Sequence, residues 1–380
     1  MNRKRIVKIL IIILAIIGII SLVVFLYNRN HKTPIMERKV ETYAEYFNSI
    51  VSNDNNFIIV GSNDHNLNKY EKASISKYDM NRNKILEKVY NKGYNSTYYD
   101  VLKDGDNYVV VGSYESTKDE FENSLRTAFI VKYDKDFNVL FEDAFPVVSD
   151  SYYNRIIKVE DGYIVSGYSS SISNKDKNNG AVIIKYDFSG KELFMKYLDD
   201  NTYYNDILYL NGYLYLCGDN KIITLDLLGN LTNTISYDNV RFNSIINVED
   251  KIYLSGTYTD TKNTGIVVSY DMNLIKINEV IYDKYGDTRF NKLLLDEDSI
   301  VVVGETYYYD EERISDSIIG KYTLDLKEKS VVRYNGNRNI KFKNIIKKDD
   351  KYIVVGCYDD NESVVSKFFI FSSSLKNLGA

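Results

Sequence analysis

Along the chain, short runs of consecutive apolar residues are led in by a polar turn and end on a glycine. They read "DNYVVVGSY" at 106–114, "DGYIVSGY" at 161–168, "NGYLYLCG" at 211–218, "DKIYLSGTY" at 250–258 and "DKYIVVGCY" at 350–358. Aligned on that glycine, the chain has seven anchors, Gly61, Gly112, Gly167, Gly218, Gly256, Gly304 and Gly356, spaced 38 to 55 residues apart. Fourteen residues before each anchor stands an aromatic: Phe47, Tyr98, Tyr153, Tyr204, Phe242, Phe290 and Phe342. Eleven and ten residues before it stands an aliphatic pair, from Ile50-Val51 in the first repeat to Ile345-Ile346 in the last. A period of this length and regularity is the signature of a repeat architecture.

Each repeat predicts four strands. The aromatic and the aliphatic pair make strand A; a short turn follows ("KDGDN", "VEDG", "LNG", "KKDD"), then the apolar run as strand B, ending at the glycine. After a loop of variable length, strand C ends in "KYD" or a variant, at Asp79, Asp134, Asp187, Asp226, Asp271 and Thr323. Strand D closes on an aromatic, Tyr90, Phe145, Tyr197, Tyr237, Tyr282 or Tyr334. Strands B and C are apolar at consecutive positions, so both faces of each small sheet must be covered, and no amphipathic helix is available to cover them. Other copies of the sheet must do so. The predicted fold is therefore all-β: a seven-bladed β-propeller of four-stranded antiparallel blades over residues 35–380. The last repeat is expected to stop at "LKNLGA" without a fourth strand, and "IMERKVETY" at 35–43 to fill that place and remove the open edge.

Ahead of the repeats, Ile9 to Tyr27 forms a charge-free, almost wholly apolar stretch preceded by Arg3, Lys4, Arg5 and Lys8. At ~1.5 Å per helical residue it matches a bilayer core ~30 Å thick. Its length, and an exit reading "LVVFLYNRN" with no small-x-small site, predict an uncleaved transmembrane signal anchor rather than a removed signal peptide. The basic residues 1–8 are then cytoplasmic, 28–34 a linker, and the propeller extracytoplasmic on a single-pass membrane protein. No cysteine follows the apolar stretch, which excludes a lipoprotein anchor.

Charge narrows the partners. The chain carries a formal −5, and setting aside the six basic side chains of residues 1–32, which include no acid, leaves −11. Such a domain is a poor nucleic-acid binder and is repelled by anionic lipid. Cys217 and Cys357 fall in the fourth and seventh repeats, nearly across the ring, so two free thiols are expected. The only histidines, His31 and His65, make no triad and no metal cluster. "NKDKNN" at 174–179 approximates a calcium loop, but Asn179 stands where glycine is needed and Lys185 where the closing glutamate is needed. There is no glycine-rich phosphate cradle, and the tryptophan-containing box of sialidase-like propellers cannot exist in a chain without Trp. No cofactor or metal is expected.

The phrases "YNRIIKVEDGYIVSGY" and "AVIIKYDFSGKELF" resemble the bacterial secreted or membrane-anchored β-propeller repeat proteins whose repeats read DGGYIVVG followed by VVKYDxxG. The resemblance covers residues 35–380 and departs at the strand D tryptophan and the double glycine, both absent. It implies fold and not activity, since the shared residues are those that pack blades.

Candidate functional residues follow from the strand directions. The D–A and B–C connections emerge on one face and the A–B and C–D turns on the other; only the B–C loops vary strongly in length, so the D–A/B–C face is the expected site of a protein or glycan partner. Asn48, Asn154, Asn205, Asn243 and Asn291 recur just after the strand A aromatic, with Tyr99 and Lys343 as the two exceptions. Either this ring of amides binds a polar ligand or each ties its loop to the next blade. Arg155, Arg241 and Arg289 lie nearby and could clamp an anion. The loop "ETYYYDEER" at 305–313 offers Tyr307, Tyr308 and Tyr309 as contact residues. The expected function is a binding or assembly scaffold in the cell envelope. The alternative is a hydrolase or lyase acting on a polysaccharide with carboxylates such as Glu305 and Asp206.

Overall fold

The computed structural model describes residues 45–379 apart from 65–69, 119–123, 147–148, 172–179, 199–201, 308–314, 335–338, 360–363 and 376. The first sheet is β1 (Glu45–Asn53), β2 (Asn56–Asn63), β3 (Lys72–Asp79) and β4 (Lys84–Val89). The second is β5 (Ser96–Asp104), β6 (Asn107–Lys118), β7 (Ser124–Tyr133) and β8 (Val139–Ala144). The third is β9 (Ser149–Val159), β10 (Gly162–Ser171), β11 (Gly180–Asp187) and β12 (Glu192–Tyr197). A larger sheet joins β13 (Tyr204–Leu210), β14 (Tyr213–Asp226), β15 (Leu231–Val248), β16 (Lys251–Thr259), β17 (Asn263–Asp271) and β18 (Lys276–Tyr282). Then come β19 (Asp287–Asp296), β20 (Ser299–Tyr307), β21 (Ser315–Thr323) and β22 (Glu328–Tyr334). The final sheet is β23 (Asn339–Lys348), β24 (Lys351–Asp359), β25 (Val364–Ser372) and β26 (Asn377–Gly379). All pairings between neighbours are antiparallel, and the fold is a β-propeller.

The sheet count corrects one expectation. Among the described residues hydrogen bonding gives six sheets, not seven separate four-stranded blades, because the fourth and fifth repeats share one six-stranded sheet. The cause is the fourth repeat's lack of a B–C loop. Leu214, Leu216, Ile223 and Leu225 of β14 meet in a single core cluster, which a straight strand of that length, ~45 Å long, could not achieve. The strand doubles back at Asn220, where φ is +57°, and Asp219 pairs with Arg241 of β15, linking the two repeats.

The aliphatic pairs explain why consecutive positions are apolar. Ile50 enters a cluster shared with the last repeat, while its neighbour Val51 packs into the cluster shared with the second. Val101 and Leu102 likewise divide between the clusters on either side of their sheet, as do Ile245 and Ile246. Successive repeats thus bury each other's faces through seven such clusters. The ring closes where β1 packs against β23, β24 and β25, with the Phe47 N–H donating to Ser366 Oγ at 2.7 Å.

The anchor glycines lie within strand B rather than at its end, a second correction: β2, β6 and β10 all run past them. In six of the seven A–B hairpins the register slips right after the strand A aromatic, and in β9–β10 it slips at the same level, so each strand A bulges at the residue that follows. A Cβ on Gly304 would lie 1.9 Å from the Arg289 carbonyl oxygen, and on Gly61 1.6 Å from that of Tyr46. Only glycine permits this approach. The aspartate of the recurrent "KYD" organises the C–D turn. The Asp79, Asp134, Asp187, Asp226 and Asp271 carboxylates each accept backbone N–H bonds from the turn that follows, for example from Asn83 at 2.8 Å.

A third correction concerns the last sheet. Its fourth position is taken by β26, from the chain's own C-terminal segment, in register with Ile370 and Phe371. The strand expected at 35–43 and the membrane span expected at 9–27 lie outside the described residues. Among the described residues, no helix is long and apolar enough to cross a membrane.

Candidate functional site

The amide ring is built into the scaffold. Asn48 Nδ2 donates to the Tyr98 carbonyl at 2.8 Å, Asn154 to Tyr204 at 2.6 Å, Asn205 to Phe242 at 2.8 Å, Asn243 to Phe290 at 2.9 Å and Asn291 to Phe342 at 2.8 Å. In every case the acceptor is the strand A aromatic of the next repeat, reached from the bulge. Lys343, an exception to the asparagine pattern, closes the circle by donating to Asn48 Oδ1 at 2.9 Å.

One residue further along each strand A, the repeats stop resembling one another. The seven positions hold Ser49, Asp100, Arg155, Asp206, Ser244, Lys292 and Asn344. Strands A of successive repeats contact each other around the whole ring, so these side chains gather at its axis. Asp206 takes Arg155 Nε at 3.2 Å, Lys292 Nζ at 2.8 Å and the Ile245 N–H at 3.1 Å. Asp100 takes Ser49 Oγ at 2.8 Å and the Ile156 N–H at 3.2 Å, and Asn344 donates to Ser49 at 3.1 Å. Burial by itself would raise the Asp206 carboxyl, but Lys292 and Arg155 together hold it below its ordinary value. Lys292 reaches from the sixth repeat to the fourth, so the network bridges the axis.

Both acids of the hydrolase alternative are buried. Asp206 is 4 % exposed and committed to the axial network, and Glu305 is 7 % exposed. The three arginines have separate partners: Arg155 in that network, Arg241 beside Asp219 at 3.3 Å, and Arg289 over the Tyr307 ring at 5.6 Å. Lys341 covers Tyr307 as well, at 5.6 Å, so two cations lie against that ring. Tyr308 and Tyr309 lie outside the described residues. Among the described residues, no cluster of His, Cys, Asp and Glu could hold a metal ion.

Among the described residues, an open cleft on the D–A/B–C face lies elsewhere, over the second to fourth repeats. Its volume is 440 Å³, and it is lined by Tyr99, Arg126, Asp150, Tyr152, Asn154, Tyr168, Ser170 and Tyr203. Three of its rings form a near-parallel series. Tyr152 and Tyr168 lie 6.2 Å apart at 26°, Tyr168 and Tyr203 4.3 Å apart at 22°. Tyr99 meets Tyr152 edge-on at 6.1 Å. Arg126 donates through Nε and Nη2 to the two oxygens of Asp150, both at 2.7 Å, and its guanidinium lies 5.2 Å from the centre of the Tyr152 ring. The paired guanidinium holds Asp150 below its ordinary value. Burial, then the Tyr203 phenol, raises Tyr168.

Sequence reasoning missed this cleft although its signals were present. In the repeated "YYN", the second tyrosine (Tyr153, Tyr204) enters the core and the first (Tyr152, Tyr203) faces the cleft. Tyr99 stands there because the second repeat lacks the asparagine, and Tyr168 directly follows an anchor glycine.

No family model and no curated protein matches the chain. Among solved structures it is similar to the WD40 domain of Pan2 from Neurospora crassa, with a TM-score of 0.57 and 9% identity over 92% of this chain and 95% of that one. It is also similar to a protein of unknown function from Bacteroides caccae, with a TM-score of 0.45 and 10% identity over 68% of this chain and 89% of that one. The first of these likenesses shows the propeller fold.

Proposed function

We propose that the protein is a membrane-anchored, extracytoplasmic binding or assembly scaffold of the cell envelope. Its seven repeat units form the rigid ring, the N-terminal apolar segment holds it to the membrane, and the D–A/B–C face engages a protein or glycan. One observation carries the reading: that face presents a cleft of tyrosines with a charge-paired arginine and aspartate, while the axis beneath it is bridged by Arg155, Asp206 and Lys292. Rigid scaffolds place recognition on loops, and tyrosine gives large contact area at little entropic cost. The repeat phrases and the apolar N-terminal stretch support the bacterial, single-pass placement.

The test uses the full chain in its membrane. A photo-crosslinking residue replaces Tyr203 on one face or Asp161 in an A–B turn on the other; both positions are exposed. Adducts are expected from position 203 alone. Adducts from position 161 alone would assign the functional face to the other side. Protease added to intact cells should digest the propeller, and a salt wash should leave it membrane-bound; a propeller protected from external protease refutes the topology.

A further inference from the structure

We propose that the tyrosine cleft over the second to fourth repeats is a binding site for a neutral glycan chain. This rests on the scaffold reading and names its ligand. The volume of 440 Å³ falls within the range of ligand pockets, ~300–1,000 Å³. Tyr152, Tyr168 and Tyr203 stack in series, so the ring surface offered to a ligand is that of Tyr203, 41 % exposed and backed by Tyr168 at 4.3 Å. Pyranose rings have flat faces of C–H groups with slight positive charge, which lie against the electron-rich faces of such rings, and a rim of hydroxyls.

The polar wall decides between ligand classes. Arg126 and Asp150 neutralise each other, and their side chains stay 41 % and 35 % exposed. Asp150 accepts from Arg126 on both oxygens and keeps acceptor capacity, while Arg126 keeps N–H donors. Neighbouring sugar hydroxyls donate and accept at once, so they satisfy both partners together. A proline-rich peptide, the other common occupant of tyrosine grooves, supplies carbonyl acceptors but few donors and would leave Asp150 unanswered. A cation is disfavoured because the guanidinium already lies against Tyr152. An anion gains little from an arginine already held by a carboxylate.

The full chain in detergent is run in native gels containing hydroxyethylcellulose, glucomannan or dextran, with alginate as the anionic comparison and a labelled proline-rich decapeptide tested by fluorescence polarisation. At least one neutral polysaccharide should retard it. Tyr168→Ala and Tyr203→Ala should each weaken retardation about tenfold at unchanged melting temperature. Tyr203→Phe, which keeps the ring, should retain retardation, Asp150→Asn should weaken it, and Tyr307→Ala should not. Retardation by alginate alone, binding of the peptide alone, no retardation in any neutral gel, or retardation indifferent to both alanine variants overturns the proposal. Should the glycans fail while position 203 still yields protein adducts, the ligand class falls and the scaffold reading stands. Tyrosine-dependent glycan retardation with adducts only from position 161 would leave the glycan site standing and reject the wider assignment of the face.

Discussion

Replacing Asp206 by alanine should be among the most damaging single changes in the ring. The carboxylate is 4 % exposed and answers Arg155, Lys292 and the Ile245 N–H. Its removal takes the carboxylate from two cations at the axis, each with only 22 % of its side chain exposed, leaves Arg155 with Asp100 as its remaining acid, and leaves two backbone donors, the Ile207 and Ile245 N–H groups, without that acceptor. Breaking a buried ion pair from one side costs about 3–5 kcal/mol. With an unfolding entropy of ~2.1 cal/mol/K per residue, a domain of this size should lose about 4–7 °C in melting temperature. Near-ultraviolet circular dichroism is the suitable assay, because a chain with 36 tyrosines and no tryptophan reports its packing through the phenol rings. Replacing Arg155 by Met, Asp206 by Leu and Lys292 by Met together removes the charges as a set and should recover most of that loss. A melting temperature for Asp206→Ala within about 1 °C of the parent would mean that water reaches the axis and screens it, and the reasoning fails.

Acid should loosen the opposite face first. Asp104 meets Lys158, Tyr163 and Lys132, and Asp296 meets Lys321, Lys347 and Tyr352; burial opposes their ionisation, yet these partners lower both from the ordinary 3.8 to about 2. Their stabilisation, about 1–2 kcal/mol each after screening, is complete above about pH 4 and lost as pH falls toward 2. Melting temperature measured from pH 5 to 2.5 should fall, and fall less for Asp104→Asn with Asp296→Asn; parallel curves would reject the assignment. Gly304→Ala should cost at least ~2 kcal/mol in urea titration, since its Cβ would strike the Arg289 carbonyl at 1.9 Å, and a neutral outcome would show that the bulge relaxes. Cys357 should react with a thiol reagent in the native protein, while Cys217, wholly buried and pushed up by that burial, should react only on unfolding; equal rates would contradict the packing of the fourth repeat.

The fold was legible because packing in a repeat is written at fixed intervals. The aromatic fourteen residues before each anchor is buried in all seven repeats, from Phe47 to Phe342, and the first member of every aliphatic pair is buried too. What the sequence hid depends on distance. The sharing of one sheet by the fourth and fifth repeats comes from a missing loop and a positive φ at Asn220, which no hydrophobic pattern records. The C-terminal β26 is three residues long, too short for alternation to mark. The cleft was hidden for another reason: Tyr99, Arg126, Tyr168 and Tyr203 come from three repeats, and only curvature of the ring brings them within one pocket.

Two adjacent positions on strand A separate the structural part of the repeat from the individual part. At the bulge, five asparagines make the same bond to the next repeat, so the residue serves a geometry common to all. One residue later the side chain is Ser, Asp, Arg, Asp, Ser, Lys or Asn, and here the partners are particular: Arg155 and Lys292 both require Asp206. A ring of near-identical units risks docking its blades in the wrong order, a characteristic failure of repeat proteins. Charges that meet best when the third, fourth and sixth repeats come together at the axis penalise such misdocking, because an order that separates Arg155 and Lys292 from Asp206 leaves buried charge with fewer partners. The same loss of symmetry occurs on the D–A/B–C face, where the second repeat puts Tyr99 in place of asparagine at the edge of the tyrosine cleft. In this chain, repetition marks packing, and departure from repetition marks the axial charge network and the tyrosine cleft.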